Sequence, residues 1–135
     1  MDFVGEGLQN VWRSYRDPAL IISLGYVISI WVGGILVRVF LDTMGSSGQI
    51  QEGLKGAGKR IGQLERFLVT TLTVLDQYSA IAFVFAAKSI ARFKKIEEAP
   101  IFAEYYLAGT LASVSLAVLV GLGIKGALAL LARSP

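Results

Sequence analysis

The sequence contains no cysteine and no histidine. Their absence excludes thiolate and imidazole metal sites, a cysteine nucleophile and a Ser-His-Asp triad. It also removes any thiol that could report a redox compartment. Charge is scarce as well. Asp, Glu, Lys and Arg make up 17% of the 135 residues, where a soluble domain carries about 25%. The length allows one domain. The net charge of +3 suits basic flanks around apolar segments, and no basic patch is interleaved with aromatics. Nucleic acid is therefore not an expected partner.

What the chain has in quantity is apolar sequence. Pro18–Val37 carries no charge, Phe67–Ala87 carries one (Asp76), and Tyr105–Ile124 carries none. At 1.5 Å per residue, about 20 helical residues cross the roughly 30 Å hydrocarbon core of a bilayer. None of the runs has a polar face wide enough for a water-exposed helix. The first run follows a 17-residue polar and amphipathic stretch. It also exceeds the roughly 7–15 residues of a signal-peptide core. The expectation is an all-α integral membrane protein with three transmembrane helices and two amphipathic interfacial segments. Its partner is the lipid bilayer, and its place is a cell membrane, crossed several times.

Residues 1–17 place Val4, Leu8, Val11, Trp12 and Tyr15 on one helical face. Arg13 and Arg16 can reach lipid headgroups while Trp12 and Tyr15 sit at the interface. Asp17-Pro18 reads as an N-cap and first helical position, which opens a first membrane helix over 18–41. Gly25, Ser29 and Gly33 recur every four residues, a strip that lets another helix approach closely. Residues 42–48 form a loop by composition.

Residues 49–66 are a second amphipathic segment. Ile50, Leu54, Ala57, Ile61, Leu64 and Leu68 form a heptad seam. Lys59 and Arg60 there suit anionic headgroups. The second membrane helix is expected over 67–87, with a basic extension to Ile96. Glu97–Pro100 is a turn, and the third helix runs over 101–131. Gly109, Ser113, Ala117 and Gly121 form a second strip of small residues. With two strips and a seam available, a homo-oligomer is expected.

Candidate chemistry is sparse. Gly53 and Gly58-Lys59 match the spacing of a phosphate-binding loop, but Arg60 stands where Ser or Thr should hold Mg²⁺, and no strand precedes it. No nucleotide is expected, and no motif asks for a cofactor. Asp76 falls near the middle of its run, where a carboxylate costs about 2.5–3.5 kcal/mol to insert. Gln77 follows it, and Ser113 and Ser115 of the third helix are expected at similar depth. This cluster reads either as a proton or cation site or as a hydrogen-bonded helix contact. Lys88 is expected to pair with Glu104 across the hairpin, or Glu104 with Arg92. The pairs are structural in one reading and bind a headgroup in the other.

The second half resembles a family of small prokaryotic integral membrane proteins of unknown function. The resemblance covers about residues 58–123. It rests on Glu65-Arg66, Ala86-Ala87-Lys88-Ser89, Arg92-Phe93, Glu104-Tyr105-Tyr106 and Gly109-Thr110. It implies a membrane hairpin and a bacterial or archaeal origin, and no reaction. No catalytic set is expected. A non-enzymatic assembly or accessory module comes first, and an oligomeric channel or transporter using Asp76 is the alternative. Three spans would place the two ends of the chain on opposite sides. The cations then divide almost evenly, with the short basic second loop favouring an N-terminus inside.

Overall fold

The apolar runs do form helices, but only two of the three stay unbroken. The computed structural model describes residues 3–45 and 56–133. Helix α1 runs over Phe3–Val27, a π-helical turn over Ile28–Val32, and α2 over Gly33–Thr43. Helices α3 (Ala57–Val74), α4 (Tyr78–Glu98) and α5 (Pro100–Arg133) follow. No strand occurs among the described residues. Two helical stretches, Gly5–Thr43 and Pro100–Arg133, are long and apolar enough to cross a membrane.

Pro18 does not open a new helix. It lies inside α1, so the amphipathic N-terminal stretch and the first apolar run form one continuous helix. A break there would have left several N–H and C=O groups unpaired beside an apolar stretch. Pro100, by contrast, does open α5. Ala99 before it is extended, as a residue preceding proline prefers.

The expected helix over 67–87 is broken. α3 ends at Val74 and α4 starts at Tyr78, with Leu75–Gln77 turning the chain back. Asp76 takes a left-handed backbone conformation with φ 58°. The Gln77 N–H donates to Leu72 O at 2.7 Å, and the Asp76 N–H donates to Thr73 O at 3.1 Å. These are the paired bonds of a Schellman helix terminus, with Asp in the place usually held by glycine. Asp tolerates this conformation better than most residues.

The contacts set the topology. Gly25 faces Ile124, and Leu41 faces Gly109, so the first rod runs antiparallel to α5. Arg66 meets Ser113, and Thr70 meets the Ala117 carbonyl, so α3 runs parallel to α5. Lys88 reaches back to Glu65, so α4 returns antiparallel to α3. The result is an up-down four-helix bundle. Phe3 and Arg133 lie toward the same end, not opposite ends.

Both strips of small residues are packing faces. Gly25, Ser29, Gly33 and Val37 are buried on the first rod, and Ser113, Ala117 and Gly121 are buried on α5. A Cβ on Gly121 would lie 2.7 Å from Thr73 Cβ, so α3 and α5 touch almost backbone to backbone. The seam came out reversed. Ile61, Leu64 and Leu68 are exposed, while α3 buries Glu65, Arg66, Val69, Thr70 and Thr73. Ile50 and Leu54 lie outside the described residues.

Polar side chains outnumber apolar ones in the interior of the described residues. Ser29, Glu65, Arg66, Thr70, Thr73, Thr110 and Ser113 are buried, against Val37, Val69, Phe102, Ala117 and Ile124. Hydroxyl pairs link the helices. Ser29 Oγ lies 2.7 Å from Thr70 Oγ1, and Tyr26 Oη lies 2.6 Å from Thr71 Oγ1. Large apolar side chains, including Leu24, Trp31, Ile35, Phe83, Leu111 and Leu119, point outward.

Candidate functional site

Glu65 and Arg66 are adjacent on α3, and both are buried at 6% exposure. Each needs a specific answer, because a buried charge without partners is costly. Arg66 is seated against the π-helical turn. Its Nη2 donates to Ile30 O at 3.3 Å, and its Nη1 donates to Ser113 Oγ at 3.2 Å. Gly33 and Gly34 make room for it. A Cβ on Gly33 would lie 3.2 Å from Arg66 Cδ, and one on Gly34 would lie 2.8 Å from Nη2. Single π turns often mark functional positions in helices, and this one receives the guanidinium.

Glu65 is answered from α4. Lys88 Nζ donates to Glu65 Oε2 at 2.5 Å and lies 5.5 Å from the centroid of the Tyr106 ring. Two buried atoms of the pair Glu65-Arg66 remain without a partner among the described residues, Glu65 Oε1 and Arg66 Nε. The Tyr106 hydroxyl lies beside Ser89 and Thr110 without a well-formed hydrogen bond to either. Each unmet buried group costs about 1–3 kcal/mol.

These groups line a cavity of about 880 Å³ between α2, α3, α4 and α5. Its charged residues are Lys59, Arg66, Lys88 and Arg92 against one carboxylate, Glu65. Only Lys88 has an ionic partner among the described residues, so the cavity is strongly positive. Tyr105, Tyr106, Thr110 and Ser113 add polar groups, while Val37, Leu41, Ile61, Leu68, Val84 and Phe102 make the rest of the wall apolar.

The structure separates residues that were expected together. Asp76 is on the exposed turn, bonded to Lys125 and accepting a hydrogen bond from the Tyr78 hydroxyl at 3.2 Å. Gln77 is exposed beside it, and Ser115 is exposed on α5. Ser113 is buried, but against Arg66, twelve residues along α5 from Lys125. No Asp76–Ser113 cluster exists, because the turn carries Asp76 past that level. Lys88 pairs with Glu65 rather than Glu104, and exposed Glu104 makes no ion pair with Arg92. Arg92 and Lys59 both reach the cavity. Arg60, Arg13 and Arg16 are exposed, and Arg16 Nε lies 3.8 Å from Asp17.

Sequence reasoning passed over Glu65 as the partner of Lys88 and the π turn as the seat of Arg66. The available signals were an adjacent Glu-Arg pair on an apolar helix and the doublet Gly33-Gly34, a second small residue off the four-residue strip. Glu65, Arg66, Lys88, Arg92, Tyr105, Tyr106, Gly109 and Thr110 all line this cavity. No family model, no curated protein and no solved structure matches the chain.

Proposed function

We propose that this is a non-enzymatic integral membrane module of a prokaryotic cell membrane. In it, Gly5–Thr43 and Pro100–Arg133 cross the bilayer, and α3–α4 enter as a hairpin from the 44–56 side. The observation that carries the reading is the distribution of polarity. A bundle with serine, threonine, glutamate and arginine inside and leucine, isoleucine and phenylalanine outside is suited to lipid, not water. The amides of Leu75, Asp76 and Gln77 all have backbone partners, which lowers the cost of setting the turn in the hydrocarbon region. Asp76 lies near the level of Gly25, about 10 Å along the helix from Pro18, and Lys125 offsets its charge there.

The helix pairing also regroups the cations. Arg38, Lys59, Arg60, Arg92, Lys94 and Lys95 belong to the end with the 44–56 connection, and Arg13, Arg16 and Arg133 to the other. By the positive-inside rule the first end faces the cytoplasm. The orientation is thus opposite to the one favoured with three spans. A channel through Asp76 has little support, since that carboxylate is exposed and already ion-paired. Self-association has lost part of its motive as well. Both small-residue strips are used within the chain, which leaves the outer face of Ile61, Leu64 and Leu68 for a second copy.

The natural absence of cysteine makes the test clean. Single cysteines at Gly5, Glu98 and Arg133 are labelled in intact cells with a membrane-impermeant maleimide. Labelling at Gly5 and Arg133, with Glu98 reacting only after lysis, is the expected result. Labelling of Gly5 and Arg133 from opposite sides would mean an odd number of crossings and end this reading.

A further inference from the structure

We propose that the cavity between α2, α3, α4 and α5 binds an anionic amphiphile. A phosphate or carboxylate head would be held by Arg66 and Arg92, with an alkyl chain along the wall of Leu41, Ile61 and Leu68. The inference deepens the membrane reading by naming what the site takes.

Three observations point to an anion. Arg66 is 6% exposed to solvent, yet its bonded partners, Ser113 Oγ and Ile30 O, are both neutral. Its Nε is a buried donor with no acceptor among the described residues. Glu65, the one carboxylate in the wall, is already engaged with Lys88. A guanidinium so placed is completed by an anionic group that can take its fork of N–H donors. Arg92 on α4 and Lys59 on α3 line the same space. Lys59 stands seven residues from Arg66, about 10 Å along α3. The cations thus extend from the first turn of α3 to the floor and would draw an anion inward.

Volume points to more than an ion. A cavity of about 880 Å³ falls near the upper end of the range for sites of drug-sized ligands, about 300–1,000 Å³. A bare phosphate would leave most of it empty and its apolar wall uncovered. Ile61, Leu64 and Leu68 are both lining residues and exposed on the outside of α3. That rim gives an alkyl chain a continuous apolar path from the surrounding lipid into the cavity. Glu65 Oε1 remains as an acceptor for a hydroxyl or ammonium on the head.

The test uses the full chain in neutral maltoside micelles, with bound molecules counted by native mass spectrometry. Probes are dodecyl phosphate, phosphatidylglycerol, dodecyl maltoside and inorganic phosphate. Binding in micelles does not depend on the number of crossings, so failure here is distinct from failure of the cysteine-labelling test. One dodecyl phosphate per chain should bind well below the concentration at which inorganic phosphate does, with no matching site for the maltoside. Arg92→Gln and Arg66→Gln should each weaken binding roughly 10- to 100-fold, as loss of a charge-assisted hydrogen bond does. Ala91→Trp fills the cavity from an exposed position on α4 without touching a charge. It should weaken binding comparably and keeps the test decisive if Arg66→Gln does not fold. Phosphatidylglycerol binding alongside dodecyl phosphate assigns the occupant to the bilayer, whereas dodecyl phosphate alone assigns it to a free single-chain amphiphile. Absence of dodecyl phosphate binding overturns the proposal. So does equal binding of inorganic phosphate, or unchanged binding in both Arg92→Gln and Ala91→Trp.

Discussion

Gly121 and Gly123 lie two residues apart on α5, and adding one methyl group to each should have opposite effects. At Gly121 a Cβ would stand 2.7 Å from Thr73 Cβ, 2.8 Å from Thr73 Cγ2 and 3.3 Å from the Thr70 carbonyl. Carbon atoms prefer about 3.5–4.0 Å, so α3 and α5 must separate by most of an ångström. Thr73 cannot swing aside without loss, because its hydroxyl donates to Val69 O at 2.8 Å in a buried position. Overpacking of this kind costs about 1–3 kcal/mol, and the fixed neighbours argue for the upper half of that range. Replacing a helical glycine by alanine returns about 1 kcal/mol. Gly121→Ala should therefore destabilise by about 1–2 kcal/mol. At Gly123 nothing lies within 4 Å, so only the helix term acts, and Gly123→Ala should stabilise by about 0.5–1 kcal/mol. Unfolding of both variants in mixed micelles, followed by circular dichroism along a denaturing-detergent titration, measures the difference. Equal stabilities, or a Gly121→Ala protein more stable than Gly123→Ala, would refute the close approach of α3 and α5.

Two further outcomes follow from the same contacts. A double-mutant cycle on Glu65→Ala and Lys88→Ala should give coupling of about 1–3 kcal/mol, as for contacting residues. The same cycle on Glu104 and Lys88 should give less than about 0.5 kcal/mol; coupling in the second cycle and not the first would restore the pair expected from sequence. Asp76→Gly should leave the α3–α4 turn intact, since glycine accepts a positive φ. Asp76→Val should cost about 1–2 kcal/mol more for the left-handed conformation, and a valine variant as stable as the glycine variant would show that the turn is not built this way.

The strips Gly25-Ser29-Gly33 and Gly109-Ser113-Ala117-Gly121 were legible because a four-residue spacing puts small residues on one helix face regardless of partner. The end of α4 and the start of α5 were legible because Glu97–Pro100 combines charge with a residue that forces extension before it. The α3–α4 turn was not. Its apolar run matches one bilayer crossing in length, and the left-handed position holds aspartate where glycine would have signalled a helix end. Reading the run as one helix set Asp76 beside Ser113 and Lys88 beside Glu104, whereas the turn puts Asp76 on Lys125 and Lys88 on Glu65. The cavity was equally hidden. Glu65 and Lys88 meet only because the chain doubles back between them, and no local periodicity records a contact across a turn. The seat of Arg66 depends on a π turn, which has no pattern of its own.

Residues 67–87 fold as a hairpin beside two apolar helices. The distance between spin labels at Leu64→Cys and Ala87→Cys, in protein reconstituted into lipid nanodiscs, reads out that hairpin. Both positions are exposed, and they flank the Glu65–Lys88 contact. The hairpin places the labels on neighbouring helices whose axes lie about 8–10 Å apart, which gives strong short-range dipolar broadening. A single helix through both positions would hold them about 35 Å apart along its axis, and a narrow distribution near that distance would mean that the chain does not turn back at Leu75–Gln77.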